Sequence, residues 1–356
     1  MKKAMSLILA LLLCAALAPG ALAAEIDGGA CGDDLIWSLD ADGTLTISGT
    51  GPMYDYSEDA LPPWYAHRDE ITAAVLEEGV TAIGAWAFYR CVVLTGVTIP
   101  DSVASIGERA FSACRDLPGV TIPAGVASIG EKAFYACAGL TGVSVADGNP
   151  AYSSVDGVLF DAGRTILYTY PPAKAGDYRI PDSVAAIADG AVYRCRGLTG
   201  VTIPDGVASI GEGTFENCGS LTSVTIPASV SSIGDGAFYT CLSLADVYYG
   251  GSESQWEQLA MSGDANAELL AAAIHYDSAG PAPSAPEKGD NDAGAAGKEA
   301  DKSTSPSASP AAINTPSGNN GAAGGQKSGV PLVLIIVLAA AAVAVVAVVL
   351  ALKKKK

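Results

Sequence analysis

The chain has 356 residues, 49% of them hydrophobic, and carries 38 Asp plus Glu against 20 Lys plus Arg, with two His. Six of the basic residues, Lys2, Lys3 and the four at 353–356, sit at the extreme ends, leaving 14 basic against 38 acidic side chains and a net charge of −24 between them. So acidic a surface argues against nucleic-acid partners, whose binding is dominated by Lys and Arg contacts to phosphate.

Residues 1–24 have the layout of a secretory signal peptide: Lys2 and Lys3, an apolar run over 5–17, then Pro19, Gly20 and the small-residue stretch at 21–24. Leu13 rather than a small residue precedes Cys14, which argues against a lipid-modified N-terminus. Residues 25–70 hold Trp37, a turn composition at Asp40-Ala41-Asp42-Gly43, Gly49-Thr50-Gly51 and Pro63-Trp64-Tyr65 ahead of a repeat.

From 71 to 249 the chain aligns on itself with a period of 23 residues, which marks a solenoid. Ile83, Ile106, Ile129, Ile210 and Ile233 each precede a glycine; Phe88, Phe111, Phe134, Phe215 and Phe238 hold one column; Cys91, Cys114, Cys137, Cys218 and Cys241 hold another. In a unit such as 94–100, Val97 and Ile99 alternate with Thr98, the period of a half-buried strand, and Pro100 ends the ladder because it cannot donate. One coil cannot cover its own apolar side chains, but coils stacked at about 4.8 Å can. The outward strand column is then Val75, Thr98, Thr121, Ser144, Arg179, Thr202, Thr225 and Tyr248, lining one face.

The register fails over 146–179. Two β-rich runs, 155–160 and 165–170, flank the turn composition Asp161-Ala162-Gly163-Arg164 and predict a hairpin-like excursion. It concentrates tyrosines: Tyr152, Tyr168, Tyr170 and Tyr178, with Arg164 and Arg179, form the candidate binding patch, since exposed Tyr buries a large area at low entropy cost. Packing of the excursion onto the solenoid is the alternative for the same tyrosines.

Residues 250–277 close the folded part. The composition of 278–328, with no aromatic residue and Ile313 as its one large aliphatic, predicts a disordered linker. Within 329–352 an uncharged stretch runs from 330, long enough to span a bilayer as one helix, and the Lys tail at 353–356 marks the cytoplasmic side.

The units Leu117-Pro118-Gly119-Val120-Thr121-Ile122-Pro123 and Ser128-Ile129-Gly130-Glu131-Lys132-Ala133-Phe134-Tyr135-Ala136-Cys137 resemble the BspA-type leucine-rich repeat of bacterial surface proteins. Residues 31–70 resemble the N-terminal cap found before such repeats, and 248–276, with Trp256 and Ile274-His275-Tyr276, the usual closing segment. The resemblance implies a β-rich solenoid of parallel strands with short helical or 3-10 turns between an N-terminal and a C-terminal cap. It also implies a curved solenoid used for recognition, with Thr98, Thr121, Ser144, Thr202, Thr225 and Tyr248 on its concave face, and in some members adhesion to host or bacterial surfaces.

Chemistry is sparse. The six cysteines at the repeat position (Cys195 included) point the same way, poor geometry for bridges, and no C-x-x-C spacing suggests a metal. His67 and His275 lie far apart, and neither sits in a nucleophile motif. The reading is therefore a non-catalytic binding protein without cofactor or metal, single-pass in the cell membrane with its ectodomain outside. Its partner is a protein on a host or neighbouring cell, or alternatively a surface glycan near the cell wall.

Overall fold

The computed structural model describes residues 24–261 and 265–281. The expected signal peptide, nearly all of the linker, the membrane helix and the Lys tail lie outside these. Among the described residues no helix is long and apolar enough to cross a membrane.

β1 (Glu25–Ala30), β2 (Asp34–Asp40) and β3 (Thr44–Pro52) form an antiparallel meander. The β2–β3 turn follows from its composition: the Asp40 carboxylate accepts from the amides of Asp42 at 3.0 Å and Thr44 at 2.8 Å, and Gly43 takes φ 82°. β3 then does two jobs. Its first half pairs in parallel with β4 (Ala73–Leu76), and its end, beyond the bend at Gly49, pairs with β5 (Val80–Ile83). One strand thus templates both ladders of the repeat.

The main ladder continues from β4 to β6 (Gly96–Thr98), and the second from β5 through β7 (Ser105–Ile106) to β9 (Ser128–Ile129). β8 (Gly119–Ile122) pairs with β10 (Gly142–Val145). The inward columns are dry: Phe88, Phe111, Cys114, Ile122 and Cys137 are buried. The rings of Phe88 and Phe111 stack at 5.0 Å, and those of Phe111 and Phe134 at 5.6 Å. All seven described cysteines are free and buried. Within the column, thiols from Cys114 onward donate to carbonyls of the preceding chain, as Cys114 Sγ does to Phe88 O and Cys137 Sγ to Phe111 O, both at 3.1 Å. Burial pushes the Cys91 and Cys137 thiols up to about 12.

The register then breaks. β11 (Tyr152–Val155), β12 (Val158–Asp161) and β13 (Ile166–Thr169) make a second antiparallel meander. The run expected over 155–160 is corrected here: Asp156 at φ 50° and Gly157 at φ 80° form a turn inside it, so there are two hairpins instead of one. The second hairpin is the one the sequence implied, with the Asp161 carboxylate accepting from Thr165 N and Ile166 N at 2.6 Å.

This meander is a septum. Tyr152 and Leu159 belong to the core of the first half, while Val158, Phe160, Leu167 and Tyr170 belong to the core of the second. β12 is buried on both faces, which its Val-Leu-Phe run permits.

Beyond it, β14 (Gly176–Arg179) already starts a regular ladder, so the excursion ends before 176. β15 (Ala186–Ile187) pairs in parallel with β13. β14, β16 (Leu198–Thr202), β18 (Ser223–Ile226), β20 (Asp246–Tyr249) and the late strand at 273–275 form one parallel sheet. β17 (Ser209–Ile210), β19 (Ser232–Ile233) and β21 (Ala260–Met261) form the other, and β22 (Ala273–His275) closes the first.

Candidate binding cleft

On the third side of each coil, between the second ladder and the Cys column, a turn knits one coil to the next. Each turn holds two left-handed residues four apart, such as Arg109 and Ala113, Lys132 and Ala136, or Gly190 and Arg194. Left-handed backbone costs a non-glycine residue roughly 1–2 kcal/mol, and here the cost is offset because every second amide then faces the following coil. The amides of Trp86, Phe88 and Arg90 donate to the carbonyls of Glu108, Ala110 and Ser112, and those of Arg109, Phe111 and Ala113 to Glu131, Ala133 and Tyr135. The next row, Lys132, Phe134 and Ala136, finds no acceptor among the described residues, because the chain enters the septum where a coil would follow. The row resumes with Val192 and Arg194, which donate to Thr214 and Glu216.

A cleft of about 350 Å³ lies along the open row, walled by 129–136 and 187–193 with Leu159 and 168–170 of the septum between them. Beside it the ring column is broken: Val192 stands where the column otherwise repeats Phe, so the stack that ends at Phe134 restarts only with Phe215 and Phe238, 5.2 Å apart. At the mouth the rings of Tyr135 and Tyr193 stack at 4.0 Å, and the Lys132 ammonium lies 5.8 Å from the Tyr135 ring centre. A Cβ on Gly190 would come within 3.0 Å of the Tyr135 ring, so glycine is what lets the tyrosine lie flat there. Burial and the neighbouring Tyr193 raise the Tyr135 phenol well above its ordinary range.

The sequence-predicted patch is divided by the fold. Tyr168, half-buried, and Tyr170 both line the cleft. Tyr170 is only 1% exposed and Tyr152 8%, so these two are packing residues and the expectation of exposed anchors is corrected for them. The Tyr152 hydroxyl accepts from Ile129 N at 2.7 Å, standing in for the strand that β9 lacks. Tyr178 packs on the second core with its ring 4.7 Å from that of Tyr170. Arg164 is an exposed left-handed turn residue, and Arg179 pairs with Asp182 at 2.8 Å. Lys132, Tyr135, Gly190 and Tyr193 were not singled out from the sequence.

The outward column forms in the register read from the sequence: Thr121 opposes Ser144, and Arg179, Thr202, Thr225 and Tyr248 align in turn. Thr98, Thr121 and Ser144 are exposed. Thr225 and Tyr248 meet the chain itself, since Ser278 N donates to Tyr249 O and Gly280 lies so close to Thr225 that an added Cβ would sit 2.4 Å from its hydroxyl. The start of the expected linker is therefore packed on this face.

Both histidines bond carboxylates: His67 bonds Asp27 and Glu70, which raise its pKa, and His275 bonds Asp246. Among the described residues no cluster of three or more metal-ligating side chains occurs.

A stacked parallel-strand solenoid interrupted by a walled cleft is a scaffold of the leucine-rich-repeat class. The family model for the BspA type leucine rich repeat region matches in six copies over residues 64–154 and 170–266, and the chain belongs to that family. The gap in the match, 155–169, falls on the septum. Similar solved structures include a leucine-rich repeat protein from Eubacterium ventriosum, at 28% identity over 64% of this chain and 72% of that one with a TM-score of 0.45. Another is the pneumococcal vaccine antigen PcpA, at 16% identity over 65% and 82% with a TM-score of 0.46. A third is a leucine rich cell surface protein from Faecalibacterium prausnitzii, at 20% identity over 67% and 98% with a TM-score of 0.38. No curated protein matches the sequence.

Proposed function

We propose that this chain is a non-catalytic recognition protein, held outside the cell by the hydrophobic stretch 329–352, that binds a protein partner at the interruption of its solenoid. The observation that carries the reading is the open row of amides at Lys132, Phe134 and Ala136 along a cleft walled by Tyr135, Tyr168 and Tyr193. A regular solenoid offers nearly the same surface at every coil, whereas one partner needs an anchor that the other coils lack. Donors beside aromatic rings and partly shielded from water give an acceptor more than the same donors in bulk solvent would. Membership of the BspA type family supports a binding role, and the signal-like N-terminus and terminal Lys cluster support surface display.

Binding of the full chain to surface-protein fractions, run beside a glycan array, tests this. Tyr168→Ser and Tyr193→Ser, shown to keep the melting temperature, weaken protein binding at least tenfold, about 1.4 kcal/mol. Thr98→Ser and Thr121→Ser leave it unchanged. Normal binding by the Tyr variants with loss in the Thr variants would place the site on the outward column, and binding on the glycan array alone would favour a glycan module. On intact cells, external protease releases the repeat region while the Lys tail stays protected; a digested tail contradicts the topology.

A further inference from the structure

The far end of the same turn ladder shows what chemistry completes an open row. There the last coil also has no coil after it, yet two of the three amides in its row are bonded: Phe238 N donates to Asn266 Oδ1 at 3.1 Å and Thr240 N to Glu268 Oε1 at 3.0 Å. The two side chains are two residues apart, matching amides two residues apart. Asn266 is 1% exposed and its Nδ2 donates back to Gly234 O at 2.9 Å, so the closing segment is seated as well as bonded. Phe134 and Ala136 occupy the same columns as Phe238 and Thr240, and Ala136 at φ 61° repeats the left-handed backbone of Thr240, also at φ 61°. The interruption thus presents the surface that the closing segment recognises, without a closing segment on it.

We propose that the cleft takes a peptide segment of a partner protein carrying a carboxamide and a carboxylate two residues apart, in the Asn-x-Glu pattern. This rests on the reading of the cleft as the binding site. The carboxamide accepts from Phe134 N, the carboxylate from Ala136 N, and the Lys132 amide remains for a peptide carbonyl. The rim is of mixed charge: Glu131 and Asp189 oppose a carboxylate, while Lys132 favours it, and both Lys132 and Arg194 act on the nearby Glu216. In the closing coil Asp235 holds the sequence column of Glu131, and the Glu268 contact to Thr240 N forms there all the same. A second copy of this chain is a poorer occupant, because its own Asn266 and Glu268 are already engaged.

The test is amide hydrogen exchange on the full chain with the blocked peptide Ala-Asn-Ala-Glu-Leu-Leu, the sequence of 265–270, at millimolar concentration. Exchange at Phe134 and Ala136 slows at least threefold, Phe238 and Thr240 are unaffected, and a control peptide with Ala for Asn and Glu has no effect. Lys132→Glu, at a half-buried rim position that already carries a long side chain, reduces the protection at least threefold without lowering the melting temperature. No protection by the peptide, or equal protection by the control, overturns the proposal. So does protection that grows with protein concentration in the absence of peptide, which would mean self-association. If peptide protection fails while Tyr193→Ser still abolishes partner binding, the Asn-x-Glu chemistry is wrong and the cleft reading stands. If Tyr193→Ser leaves partner binding intact, both fall.

Discussion

In the regular coils each strand pairs in parallel with the strand one period on, whereas in the septum three strands pair antiparallel with their sequence neighbours. Both regions bury apolar side chains, but only the first is periodic. The septum closes the first half on two of its three sides: Gly157 O accepts from Val143 N and the Ser154 hydroxyl from Val145 N on the main ladder, while the Tyr152 hydroxyl serves β9. On the third side the amides of Lys132, Phe134 and Ala136 meet no acceptor among the described residues, and the cleft lies there. An interruption of a solenoid is thus a repair that can be completed on some ladders and left open on another.

The largest expected effects test whether the septum is as much core as the coils are. Phe111→Ala, whose ring stacks on two neighbours, and Phe160→Ala, in the middle of β12, each lower stability by roughly 3–5 kcal/mol in denaturant unfolding. A loss below about 1 kcal/mol for Phe160→Ala would make the meander a peripheral lobe, and the comparison would fail. Next, Tyr152→Phe leaves the Ile129 amide without an acceptor and costs about 1–3 kcal/mol in the same measurement. An unchanged stability would mean that water replaces the hydroxyl and that the closure on this side is not structural. At the small end, Thr121→Ala on the exposed face changes stability by no more than about 0.5 kcal/mol.

The sequence made the coils legible because periodicity overdetermines them: when five Phe and five Cys recur at one spacing, inward and outward assignments follow, and the registry of Thr121 with Ser144 or Thr202 with Thr225 is a consequence. The septum was legible only as an interruption. Its 155–160 run reads as one strand by composition, and the Asp156-Gly157 turn inside it is overridden by the Val and Leu around it. Tyr152 and Tyr170 could not be told from exposed anchors because tyrosine serves a core as well as a surface, and which core it enters depends on a pairing that no period fixes. The cleft was invisible for a different reason. It is built from backbone amides whose donors look the same in every coil, and what distinguishes 132–136 is the absence of a coil after it. Val192 in the Phe column and the outward tyrosines Tyr135 and Tyr193 on either side of the break were the available signals.

Among the described residues, Lys132, Phe134 and Ala136 form the one row of the turn ladder with all its amides open. Residue-resolved amide hydrogen exchange on the unliganded chain tests this directly. Phe88, Phe111, Phe215 and Phe238 share a column with Phe134, and all five side chains are buried, but only the Phe134 amide has no acceptor. The amides of the other four exchange close to the rate set by global unfolding, and that of Phe134 exchanges faster by orders of magnitude. Protection of Phe134 equal to that of its column neighbours would contradict the account, because it would mean that the ladder is closed at the septum and that no donor row is left to bind a partner.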